Sequence, residues 1–173
     1  MTLIVETGAG IATADALASL DFVDAYHTAR GNTAWTGTDD AKEQAIRRAS
    51  TFVSEAVRWR GYRSFGRLQA FDWPRSGVTD DEGFGVNGDE VPGEVLRAVA
   101  EAALREIATP GSLTPDYTPS ERLASATVGP ISVSYDLSRT DPGAARPVLL
   151  ILQDILAPLI LGGGTMVSGE VMR

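Results

Sequence analysis

The sequence has no cysteine, and its 173 residues include a single histidine, His27, and a single lysine, Lys42. Without cysteine there are no disulfides, thiolate nucleophiles, Cys-ligated zinc sites or iron-sulfur clusters. One histidine rules out a His-based metal cluster, and a Ser-His-Asp triad would have to use His27. No cationic N-terminus runs into an apolar stretch, so no signal peptide is expected, and the reading is of a protein used in a reducing, soluble compartment. The longest apolar stretch, Val148 to Leu161, is too short to cross a bilayer and reads as a buried or interface helix. Gly162-Gly163-Gly164-Thr165 lacks the lysine of a phosphate loop. Gly8 and Gly10 open a Gly-x-Gly, but Thr13 stands at the third glycine position and no strand-helix alternation follows. These absences leave no catalytic residue, cofactor or metal to expect.

What remains is ordinary globular composition, 43% hydrophobic and 22% charged. A chain of this length buries about 70% of its unfolded surface, enough for one core without staples. The net charge of −8 argues against bulk affinity for nucleic acid or for an anionic membrane. All basic residues except Lys42 are arginines, which suit planar pairing with carboxylate or phosphate.

Along the chain, residues 1–18 read as a flexible or extended N-terminal arm. Ser19 caps a helix over Leu20 to Arg30, with Phe22, Ala25, Tyr26 and Ala29 facing inward. His27 falls off that stripe and is expected at an edge or in solvent. A second helix starts at Thr38 and runs to about Val57, with Ala41, Ala45, Ala49, Phe52 and Ala56 on its inner face. Pro92 fits the first turn of a third helix reaching Ala108, with Val95, Val99, Ala102, Ala103 and Ile107 inward. Leu123 to Val128 and Ile131 to Asp136 read as two short strands around Gly129-Pro130. The fold expected is mainly α: a small helical bundle with one β-hairpin and extended N- and C-terminal arms. Its divisions are residues 1–18, a helical domain over 19–143 with the hairpin near 123–136, and a C-terminal helix and tail over 144–173.

The most informative feature is a reversal of charge. Arg58, Arg60, Arg63, Arg67 and Arg75 alternate with Trp59, Tyr62, Phe65, Phe71 and Trp73. Directly afterwards come Asp80, Asp81, Glu82, Asp89, Glu90 and Glu94, with no basic residue between Arg75 and Arg97. Three readings are open. The rings stack on single-stranded bases while guanidiniums hold phosphates. Or Trp59, Phe71 and Trp73 anchor the core while the arginines pair with the acidic loop or solvent. Or copies assemble head-to-tail, the basic segment of one against the acidic loop of the next. Asp80 to Gly85 is a poor calcium loop, because Phe84 occupies a ligand position and Val91 stands where the closing Glu belongs.

Several motifs resemble a family. Asp24-Ala25-Tyr26-His27, Arg30-Gly31 and Trp35 are followed by Arg48-Ala49-Ser50-Thr51 and Trp59-Arg60-Gly61-Tyr62-Arg63. Then come Trp73-Pro74-Arg75-Ser76-Gly77-Val78, Val91-Pro92 and Val128-Gly129-Pro130-Ile131. Over Leu20 to Tyr135 this resembles a family of tailed-bacteriophage proteins often called DnaT-like single-stranded-DNA-binding proteins. Its members also look like head-tail adaptor (connector) proteins. The resemblance implies a non-enzymatic virion protein forming a ring, a dodecamer, between portal protein and a tail-side neck or stopper protein. Duplex DNA would pass through its lumen without sequence readout. It implies residence in the virion neck after assembly in host cytoplasm; the alternative is a single-stranded-DNA-binding module in phage replication. Subunit-interface or DNA-facing residues on this view are Arg58, Trp59, Arg60, Tyr62, Arg63, Arg67, Trp73, Arg75, Asp80, Asp81, Glu82, Asp89 and Glu90.

Overall fold

Two helices packed against each other make the centre of the computed structural model, which describes residues 2–114, 125–128, 131–134 and 149–161. Helix α1 spans Leu20–Ala29, α2 Asp39–Ala56, α3 Gly93–Ala108 and α4 Leu150–Leu156, the last continuing as a 3₁₀ turn over Ala157–Leu159. Two antiparallel strand pairs accompany them. One joins β1 (Tyr62–Arg63) to β2 (Arg75–Ser76), and the other joins β3 (Ser125–Val128) to β4 (Ile131–Ser134). This is the expected helical bundle with a hairpin, plus a second small pair inside the arginine-rich segment.

Helix α2 begins where the Thr38 hydroxyl accepts the Ala41 N–H, with Asp39 and Asp40 at the positive end of its dipole. Its small inner residues Ala45 and Ala49 bring it close to α3, which is unusually alanine-rich where the two meet. Ile46, Val95, Ala98 and Val99 are completely buried there. Pro92 is the residue before α3 rather than its first helical residue. The C-terminal stretch is shorter as a helix than expected: α4 ends at Leu156, and residues 159–161 run antiparallel to 58–60. Arg60 N–H donates to Leu159 O and Leu161 N–H to Arg58 O. Pro158, which cannot extend an α-helix, sits in the intervening 3₁₀ turn. Strands β3 and β4 are each confined to four residues within the described part of the expected spans, whose remaining residues lie outside the described ones.

The N-terminal arm is extended but docked. A carboxylate anchors it: buried Glu6 accepts the N–H groups of Gly8, Gly10 and Ile11 at 2.8, 3.0 and 2.6 Å. Ala16, Leu17 and Ala18 then enter the core, and the Leu17 N–H donates to Ser50 Oγ on α2.

Helix α1 corrects the sequence expectation. Ala25 and Ala29 are exposed and Phe22 is half-buried, whereas Val23, Tyr26 and His27 are buried. His27 is a core residue, not an edge one. Its Nε2 donates to the Ala100 carbonyl on α3 at 3.0 Å, and Nδ1 accepts from Asn32 Nδ2 at 3.0 Å. Tyr26 donates to Glu101 Oε1 at 2.9 Å. Polar atoms with partners waiting on α3 rotate the helix away from its purely apolar stripe.

Burial pushes the His27 pKa below the ordinary 6.5; the Ala100 carbonyl, Glu101 and Asp24 oppose that shift, and Arg30 adds to it. The folded state therefore holds the ring neutral, while the unfolded chain takes up a proton as pH falls through about 6.5. Stability should be complete above that value and decline below it. Because His27 is the only histidine, chemical denaturation between pH 7 and pH 5 should show a slope that His27→Gln abolishes.

Candidate functional site

The residues singled out by charge and aromaticity fall around one knot of backbone between β1 and β2. Its centre is Arg75, which is 8% exposed. Arg75 Nε donates to Arg60 O at 2.7 Å and Nη2 to Gly61 O at 2.7 Å, while Nη1 reaches Asp72 O and Oδ1. Burial lowers its pKa, nearby Asp72 raises it and Arg63 lowers it; a guanidinium remains charged regardless. Asp72 also accepts from Arg63 Nε at 2.7 Å. Gly61 fits this crossing because its φ is +66° and a Cβ would lie 2.3 Å from the Ser76 carbonyl oxygen.

Gln69, likewise buried, accepts the Phe65 N–H and donates to Phe71 O and Pro74 O. The loop from Tyr62 to Leu68 is thus braced from inside by an arginine, an aspartate and a glutamine. Beside Arg67 it turns outward three large side chains: Tyr62 is 66% exposed, Phe65 44% and Leu68 77%. The Phe65 ring rests on Gly10 of the N-terminal arm, where a Cβ would come within 2.2 Å.

The acidic stretch is next to this loop. Ser64 Oγ donates to Gly88 O and shares a hydrogen bond with Ser76 Oγ. Asp80 Oδ1 accepts the Glu82 and Phe84 N–H groups, closing a tight turn that holds Phe84 outward at 68% exposure. Asp81 pairs with Arg60, whose guanidinium also donates to Thr79 O and Ile160 O. Asp81, Glu82, Asp89 and Glu90 are exposed. Among the described residues no cluster of three or more His, Asp or Glu forms a metal site. A surface pocket of about 260 Å³ lies elsewhere, along α2, lined by Arg47, Arg48, Thr51, Phe52, Glu55, Ala56 and Thr114. Its arginines already pair with Asp15 and Glu106.

A family model described as "Putative DnaT-like ssDNA binding protein" matches residues 1–173. The chain belongs to that family. No curated protein and no solved structure gives a significant match.

Within this DnaT-like chain the sequence-derived set divides in two. Trp59, Trp73 and Arg75 are interior: the two indoles meet edge-to-face at 5.5 Å between centroids, and Trp59 Nε1 donates to Ser54 O. As surface residues they are a correction, because their faces are already covered by the core and by each other. Arg60 and Arg63 are tied to Asp81 and Asp72 of the same chain. Arg58, Tyr62 and Arg67 remain outward, together with the acids of residues 81–90. Phe65, Leu68 and Phe84 join them as exposed apolar residues. Leu68 was not singled out by sequence, although the glycine turns at 61 and 66 hinted at an outward loop.

Arg75→Ala should therefore act as a folding defect. It leaves the carbonyls of residues 60 and 61 and the Asp72 carboxylate short of a donor, and should cost about 2–4 kcal/mol in urea denaturation. Arg67→Ala, at an exposed position, should stay within about 0.5 kcal/mol of the parent.

Proposed function

We propose that this chain is a non-enzymatic structural protein: a head-tail adaptor subunit that joins copies of itself into a ring between portal and tail. The observation that carries this reading is the Tyr62–Leu68 loop, which exposes Tyr62, Phe65 and Leu68 beside Arg67 and is hydrogen-bonded at its base by buried Arg75 and Gln69. A fold has no internal use for an exposed apolar loop that is braced so completely from within; a partner protein has. The motif resemblance to tailed-phage connector proteins supplies the setting, the virion neck, with assembly in host cytoplasm. Partners on this reading are further copies, the portal protein and a tail-side neck or stopper protein. Duplex DNA would cross the lumen without sequence readout, and net acidity suits passage better than capture.

The family's description favours a second reading, a single-stranded-DNA-binding module in phage replication. Its contact residues would be Tyr62 and Phe65 for stacking and Arg58 and Arg67 for phosphates, since the tryptophans and Arg75 are internal.

One pair of measurements separates the two. Mixed with purified portal, the protein should add a ring visible by cryo-EM; failure to join the portal under every assembly condition overturns the neck reading. Fluorescence anisotropy with a labelled single-stranded oligonucleotide at about 0.1 M salt should show no saturable binding at micromolar protein. Micromolar affinity that weakens steeply with added salt would favour the replication module instead.

A further inference from the structure

Three segments far apart in sequence meet at the N-terminal arm. Residues 6–11 curl around the Glu6 carboxylate, which takes the Gly8 and Gly10 N–H groups on Oε1 and the Ile11 N–H on Oε2. Converging backbone N–H groups make an anion-binding concavity, and here the anion is the chain's own side chain, 2% exposed. Two neighbours press on the curl. A Cβ on Gly8 would lie 1.8 Å from the Asp89 carbonyl oxygen, so the backbone of Asp89 and Glu90 packs directly on that glycine. The Phe65 ring covers Gly10 in the same manner, and beyond the loop the Ala70 N–H donates to Ile11 O at 3.4 Å. Ser64 Oγ donates to Gly88 O, which joins the loop to the acidic stretch and closes the triangle.

Arg75 and Gln69 hold the backbone at the loop base, but what lies under the Phe65 ring is the arm. We infer that Glu6 is a positioning residue for the exposed loop. The arm is a strap, and Tyr62, Phe65 and Leu68 keep their presented arrangement only while the carboxylate holds residues 6–11 curled. The inference rests on the ring reading in taking this loop as the partner-facing surface, and it adds a control point buried beneath that surface. Release of the strap is local. Asp15 pairs with Arg47 at 2.7 Å and the Leu17 N–H donates to Ser50 Oγ, so the root of the arm stays on α2 when the curl opens. Arm and loop share their contacts, so loosening either one loosens the other.

Hydrogen–deuterium exchange on the full chain tests the coupling from both ends. Glu6→Gln keeps the size of the side chain but replaces one acceptor oxygen with an NH2 group. Whichever way the amide turns, at least one of the three N–H groups then faces a donor. Exchange should quicken about tenfold over residues 62–70 and 86–91, with α2 and α3 as slow as in the parent. Phe65→Ala, at a partly exposed position, should in turn quicken exchange at Gly8, Gly10 and Ile11. Faster exchange confined to residues 2–14 in Glu6→Gln would overturn the inference, because an arm anchor and nothing more predicts that result. If Glu6→Gln loosens every helix together, Phe65→Ala decides: unchanged arm amides overturn the inference and faster ones support it. Mixed with portal, Glu6→Gln with intact helices should form at least about tenfold fewer rings than the parent; equal numbers despite a loosened loop would overturn the control role. A parent that never joins portal rejects the neck reading instead, and exchange still judges the strap.

Discussion

A guanidinium taken out of water constrains most of what is distinctive here. Arg75 can be buried only if its donors find acceptors, and the acceptors it finds are the backbone carbonyls of Arg60, Gly61 and Asp72 and the Asp72 carboxyl group. Those bonds fix where the chain leaving α2 crosses the chain returning toward β2. Once that crossing is fixed, Trp59 and Trp73 meet in the core, Gly61 must take a left-handed backbone, and the intervening residues have no course left but outward. The outward loop is a consequence of the inward arginine. Gln69 completes the arrangement by satisfying the backbone on both sides of the loop base.

The parts of this fold written in local chemistry were legible from sequence. Helix α2 announces itself by Thr38, Asp39 and Asp40 followed by alanines at helical spacing, and the structure starts it at that cap. Helix α3 follows a proline, and its inward valines and alanines keep their period. Helix α1 did not follow its apolar stripe, because Tyr26 and His27 are buried for the sake of Glu101 and Ala100, 75 and 73 residues away in sequence. Hydropathy ranks a side chain without knowing whether an acceptor awaits it. The arginines pose the same problem more sharply. Nothing local distinguishes Arg75 from Arg67, yet one is a buried brace and the other a surface charge, because the difference resides in which carbonyls the fold delivers. Glu6 is similar: its role as anchor for three N–H groups was foreshadowed only by the glycines at 8 and 10, which leave backbone amides free to converge.

The pairing of those arginines also changes what the surface offers. Arg60, Arg63 and Arg75 face carboxylates or carbonyls of their own chain, so the segment that reads as strongly basic presents mainly Arg58 and Arg67 to a partner. The neighbouring acids at 82, 89 and 90 remain exposed. A phosphate backbone approaching this region meets a weaker positive field than the sequence promised and an acidic turn beside it. What stands out physically is the apolar area of Tyr62, Phe65, Leu68 and Phe84, held on turns whose geometry is set by internal hydrogen bonds. Rigid apolar area lowers the conformational cost of docking against another protein, and its attraction does not weaken as salt screens the −8 carried by each copy. Salt dependence therefore has opposite signs for the two readings of this region: association through the loop strengthens with ionic strength, and association through arginine and phosphate weakens.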